Sequence, residues 1–132
     1  MLNYVVVALM LMTSACGQTQ SANVDVVKNV KVEEFKTNLE SMENVQLVDV
    51  RTPGEWQSGI IEGAHLIDIN GSSFKEDVAK LDRSVPVLVY CRSGGRSSSA
   101  ASIMADMGFT QVYNLQGGIT AWAGSGQATV KP

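Results

Sequence analysis

Val85-Pro86-Val87-Leu88-Val89-Tyr90-Cys91-Arg92-Ser93-Gly94-Gly95-Arg96-Ser97-Ser98-Ser99-Ala100-Ala101 is the stretch that decides the fold. Val85 to Tyr90 is a short, apolar, β-branched run bounded by polar residues, the signature of a buried strand. From Ser97 to Met107 the period changes: Ala100, Ala101, Ile103, Met104 and Met107 form the stripe of a helix with one apolar face. Between them lies a tight glycine turn. A cysteine at the end of such a strand faces a row of backbone N–H groups and the positive end of a helix dipole, both of which favour an anion, here a thiolate.

Working outward, the same alternation recurs. Val24 to Val30 alternates loosely and reads as an edge strand, and Val32, Phe35 and Leu39 share one face of a short helix ending before Asn44. Val45 to Val50 reads as an interior strand with Asp49 near its C-terminal end, the end at which sites gather in parallel sheets. Thr52 and Pro53 suit the cap and first position of a helical turn ending by Gly59. Ala64 to Ile69 is a further strand closed by Asn70-Gly71, and Phe74, Val78 and Leu81 mark a helix capped by Ser72 or Ser73. Gln111 to Leu115 is a last strand, and Gly117 to Trp122 turns into a short helix. Strands alternating with helices across short loops predict a three-layer α/β/α domain with a roughly five-stranded parallel sheet. The domain is expected over 24–124, with 125–132 a frayed tail.

Composition bounds the rest. A chain of 132 residues, 45% hydrophobic, suits one ordinary core, and a monomer is the default. The net charge of −3 gives no basic footprint for nucleic acid and no polybasic membrane patch. Residues 1–15 contain no charged side chain, and Val5 to Met12 is an apolar run of signal-peptide length, too short to span a bilayer as a helix. Thr13-Ser14-Ala15-Cys16-Gly17 resembles the lipobox of bacterial lipoproteins, although Thr13 stands where Leu is usual and no Lys or Arg precedes the apolar run. That resemblance implies cleavage before Cys16, lipid on Cys16, and a membrane-anchored position in the bacterial cell envelope. The alternative is a soluble periplasmic protein. Residues 16–23 then form a polar tether, and Cys91 is the mature domain's single thiol, so no internal disulfide forms there.

The chemistry concentrates on the glycine turn. Four residues separate Cys91 from Arg96, so the loop's N–H groups converge on one atom or a small anion, with Gly94 and Gly95 supplying the backbone freedom. Arg92 and Arg96 add positive charge, which together with the helix start is expected to depress the thiol pKa. Arg92, at the loop mouth, is expected to attract substrate. Arg96 is expected to tie the loop to a carboxylate, and Ser97 to hydrogen-bond the loop. Asp49, Arg51 and Glu55 are expected to support the site from behind. His65 is the sole histidine and has no Cys, Asp or Glu beside it to complete a metal site; Trp56 and Trp122 read as core or rim packing.

Four blocks together resemble the single-domain rhodaneses, a sulfurtransferase family. They are Leu47-Val48-Asp49-Val50-Arg51-Thr52-Pro53-Gly54-Glu55-Trp56, Gly59-Ile60-Ile61-Glu62-Gly63-Ala64, Tyr90-Cys91-Arg92-Ser93-Gly94-Gly95-Arg96-Ser97 and Asn114-Leu115-Gln116-Gly117-Gly118-Ile119-Thr120-Ala121-Trp122. The resemblance implies that Cys91 takes up a sulfane sulfur and that Arg92, Ser93, Gly94, Gly95, Arg96 and Ser97 hold it. The implied partners are a donor such as thiosulfate or a persulfide and a thiol or cyanide acceptor, with no metal and no organic cofactor. Related phosphatases place five residues between cysteine and arginine, so the shorter spacing favours sulfur over phosphate. Many members carry Gly-His-Ile where this chain has Gly59-Ile60-Ile61, so an essential histidine base is not expected; an ionised nucleophile needs none. The alternatives are a non-turnover persulfide carrier or docking module, and a single-thiol redox sensor.

Overall fold

In the computed structural model, which describes residues 26–132, the β-branched runs form five parallel strands: β1 (Val27–Val30), β2 (Gln46–Asp49), β3 (His65–Leu66), β4 (Val87–Tyr90) and β5 (Val112–Leu115). Their spatial order is β1-β5-β4-β2-β3, which puts β4 at the centre, with Val89 in register between Val48 of β2 and Asn114 of β5. Successive β4 side chains feed opposite faces. Val87 and Val89 pack into one apolar cluster with Val78, Ala100, Ala101 and Met104, while Leu88 and Tyr90 join Phe35, Leu115 and Trp122 in another. A strand buried on both faces has no polar position to spare, which is why its sequence is continuously apolar.

The first cluster is roofed by α3 (Phe74–Val78) and α4 (Gly95–Asp106), the second by α1 (Val32–Ser41) and α5 (Gly118–Gly124). Phe35 of α1 and Trp122 of α5 meet edge to face with ring centres 6.1 Å apart, an orientation favoured by the aromatic quadrupole. The short α2 (Pro53–Trp56) follows β2 directly. The architecture is the expected three-layer α/β/α domain with a five-stranded parallel sheet.

Two elements differ from expectation. The strand anticipated over Ala64 to Ile69 shrinks to His65–Leu66. The chain still runs beside β2, with Ile67 and Ile69 N–H donating to the Asp49 and Val50 carbonyls, until the Asp68 carbonyl and carboxylate turn it through Gly71 and Asn70. The tail expected to fray over 125–132 is instead docked: Val130 and Ile60 exchange both backbone hydrogen bonds at 2.8 and 2.9 Å, and Trp122 Nε1 donates to the Ala128 carbonyl. Cys16, with the signal and tether expected over 1–23, lies outside the described residues. Among those described, no helix is long and apolar enough to cross a membrane.

Candidate functional site

The centre of the sheet delivers Cys91 to the top of β4, where the chain turns straight into α4. Cys91 is only 1% exposed. The turn works because Gly94 adopts φ 111°, a left-handed conformation open to glycine, and becomes the residue that precedes α4. That conformation curls the loop over the sulfur: Gly94 N–H donates to Cys91 Sγ at 3.1 Å, and the Ser97 hydroxyl lies 3.3 Å from Sγ and 3.2 Å from the Gly94 carbonyl. Burial pushes the thiol pKa up. The Ser97 hydroxyl and the backbone N–H groups of Ser97, Gly94 and Ser93 outweigh it and hold the thiol below its ordinary value.

The expected depression is present, and the loop's own donors lead it; Arg96, which also interacts electrostatically with the thiol, is held first by a carboxylate. Its two guanidinium nitrogens meet the two oxygens of Glu55 at 2.7 Å each, across 41 residues of chain. That bidentate pairing drives the Glu55 carboxyl down to about 2, against partial burial and with help from the Thr52 N–H and hydroxyl. Thr52 and Glu55 thus form a capping box ahead of Pro53, and the same carboxylate that caps the start of α2 fastens the loop.

Beneath the loop sits a second ion pair. Arg51, 4% exposed, meets the fully buried Asp49 carboxylate with Nη2 to Oδ2 at 2.7 Å and Nε to both oxygens, and donates onward to the Gly59 carbonyl at 2.7 Å. Its guanidinium carbon is 5.8 Å from the centre of the Tyr90 ring. Asp49, Arg51 and Glu55 therefore brace the chain around α2, and none of their side chains is hydrogen-bonded to Cys91.

Arg92 and Ser93 are exposed at the loop's crest, with Gly95 beside them. No hydrogen bond or ion pair engages the Arg92 side chain among the described residues. It lines a cavity of about 320 Å³ with Ser58, Glu55, Arg51, Ile119 and Thr120. Because Glu55 and Arg51 are already paired, Arg92 is that cavity's uncompensated charge. His65 is exposed on edge strand β3, and no metal-holding cluster occurs among the described residues.

The structure adds residues that local sequence patterns did not single out. Ile119 N–H donates to the Cys91 carbonyl at 2.9 Å and Thr120 N–H to the Arg92 carbonyl at 3.1 Å, so the first turn of α5 holds both carbonyls of the loop's start. Gly118, at φ 58°, lies so close that a Cβ there would overlap the Arg92 carbonyl and come within 2.6 Å of the Cys91 oxygen. The Gly117-Gly118 pair was the available signal. Tyr90 Oη accepts from Ile61 N–H at 2.9 Å in a buried contact, and Asn114 Nδ2 donates to Asn29 Oδ1 at 2.9 Å and to the Gly94 carbonyl at 3.4 Å in partly buried ones, all between distant segments.

Comparison with known proteins bears on this geometry. Residues 31–125 match the rhodanese-like domain family. A sulfurtransferase of Allochromatium vinosum is 38% identical over 81% of this chain and 98% of its own, and a thiosulfate sulfurtransferase of Shewanella oneidensis 34% identical over 60% and 76%. The crystal structure of a rhodanese-related protein from Thermoplasma volcanium superimposes with a TM-score of 0.69 at 27% identity, covering 80% of this chain and 99% of that one. Relatives named for sulfur transfer support that class of chemistry here, and a buried cysteine under a ring of N–H donors suits it; the chain belongs to the rhodanese-like domain family.

Proposed function

We propose that the protein is a rhodanese-type sulfurtransferase that carries sulfane sulfur on Cys91 by double displacement. The observation that carries this reading is the Cys91 sulfur held beneath loop donors with its pKa lowered. The Cys91 thiolate attacks the outer sulfur of a donor such as thiosulfate or a persulfide. A Cys91 S–S bond forms, the donor's S–S bond breaks, and sulfite or a thiolate leaves with the electron pair. A thiol or cyanide then attacks the terminal sulfur, and Cys91 departs as thiolate, stabilised by the donors that lowered its pKa. Each half-reaction is one displacement at sulfur, easier than direct transfer between the two small molecules. No proton must be removed from the nucleophile, which removes the need for a histidine at Ile60. Unpaired Arg92 draws the anionic donor to the loop mouth.

Steady-state transfer from thiosulfate to cyanide tests this. Wild-type turnover, abolished in Cys91→Ser and with a raised KM and a weaker salt dependence in Arg92→Gln, is expected. Single loading without turnover would point instead to a carrier, and a stable mixed disulfide without sulfur transfer to a redox sensor. By its N-terminal pattern the protein is further proposed to sit in the bacterial cell envelope, anchored through lipid on Cys16. Cys16→Ser is expected to move it from the membrane to the soluble fraction, whereas a soluble wild type would favour the periplasmic alternative.

A further inference from the structure

Two clamps fix the sulfur-carrying loop. One is the first turn of α5, whose N–H groups hold the Cys91 and Arg92 carbonyls. The other is the chain around α2, where Glu55 grips the Arg96 guanidinium and is itself held by Arg51, which donates to the Glu55 and Gly59 carbonyls at 3.3 and 2.7 Å. The docked C-terminal segment touches both. At α5, Gln127 N–H donates to the Trp122 carbonyl at 3.2 Å and Trp122 Nε1 to the Ala128 carbonyl at 2.9 Å. Past α2, Val130 pairs with Ile60 in both directions, Lys131 Nζ donates to the Gln57 carbonyl at 2.9 Å, and Thr129 covers Gly59, where an added Cβ would lie 3.1 Å from its hydroxyl.

We propose that residues 127–131 are a positioning strap that ties the two clamps together and so holds the cradle's donors on Cys91, with Val130 the central positioning residue. The strap makes no hydrogen bond to the loop, so it acts through the clamps alone. Its bonds are mainly backbone bonds, together making one connected unit of Trp122, Ala128, Val130 and Ile60. Without the strap, α5 and the segment past α2 keep the apolar cluster shared by Ile61 and Trp122 but lose the hydrogen bonds that fix their separation. Small relative shifts then lengthen the Gly94 and Ser97 contacts to Sγ, and the thiolate loses stabilisation.

The charged groups around the loop are its own Arg92 and Arg96, Glu55 from α2, Asp68 near Arg96, and the Asp49–Arg51 pair. The strap contributes only Lys131, engaged with a carbonyl, so a charge-neutral change in the strap separates geometry from electrostatics. The test is the pH profile of Cys91 alkylation by iodoacetamide on the full-length chain, which needs no sulfur donor. Val130→Pro, which removes one donor of the Ile60 pair, and truncation after Gly126 are each expected to raise the midpoint, slowing alkylation about threefold to tenfold below it. Trp122→Phe, which keeps most of the packing and loses one bond, is expected to shift it less in the same direction and covers the case in which Val130→Pro does not fold. A folded, cooperatively melting variant with the wild-type profile would overturn the proposal, as would Lys131→Gln alone reproducing the shift. The inference takes its functional meaning from the sulfur-transfer reading. A wild-type thiol that alkylates with a lowered midpoint yet takes up no sulfur would overturn that reading and leave the strap standing.

Discussion

Replacing Ser97 by Ala removes one hydroxyl from a fully buried position, 3.3 Å from Cys91 Sγ, and leaves the charge of the site untouched. A hydrogen bond to a charged acceptor contributes about 1.5–3 kcal/mol, and the lower end suits a diffuse sulfur acceptor shared with the Gly94 carbonyl. Losing it raises the thiol pKa and, at about 1.4 kcal/mol per tenfold, disfavours ionisation about tenfold. Below both midpoints the thiolate fraction then falls about tenfold, while the more basic sulfur is intrinsically about threefold more nucleophilic, so alkylation slows about threefold to fourfold. Above both midpoints the sign reverses and the plateau rate rises about threefold. Iodoacetamide alkylation across pH, followed by mass spectrometry, reads midpoint and plateau together. An unmoved midpoint in a folded Ser97→Ala protein, with a raised one in Arg92→Gln, would refute the reasoning and return the effect to arginine charge.

Three further outcomes follow from the bracing contacts. Glu55→Gln breaks the bidentate grip on Arg96; because the pair is partly exposed it should cost about 1 kcal/mol in chemical denaturation. Since the Glu55 carboxyl is held at about 2, below the ordinary 4.5, its contribution is full above 4.5 and lost as pH falls toward 2, and acid titration of stability in the variant should lack that component. Gly118→Ala should cost about 2 kcal/mol or more and shift the thiol midpoint upward, because its Cβ overlaps the Arg92 carbonyl; wild-type melting and alkylation would contradict the close approach. Tyr90→Phe leaves the buried Ile61 N–H without its acceptor and should lower unfolding free energy by about 1–3 kcal/mol, with less loss expected only if the Ile61 segment shifts, which amide exchange at Ile61 would show.

What was legible in the sequence is what depends on local period. β4 and α4 declared themselves because Val87 to Tyr90 is buried on both faces and Ala100, Ala101 and Met104 repeat at helical spacing. The left-handed Gly94 and the Ser97 bond followed from the same short loop. Contacts that close over long separations were not legible by position: Arg96 called for a carboxylate, but a run of charges does not say that Glu55, on another element, supplies it. The order of the causes of the low thiol pKa is hidden for the same reason: loop hydroxyl and N–H donors lead it, while Arg96 acts on the sulfur with its guanidinium already gripped by Glu55. The strap left no signal at all. Gln127, Ala128 and Thr129 are small or polar, and their docking uses carbonyls and N–H groups that every residue possesses.

The most direct test of the account is intact-protein and peptide mass spectrometry after incubation with thiosulfate or a low-molecular-weight persulfide. The account predicts a gain of one sulfur atom on the peptide holding Cys91, removed by an added thiol and absent in Cys91→Ser. No gain with any sulfane donor, from a protein whose Cys91 alkylates freely, would contradict it.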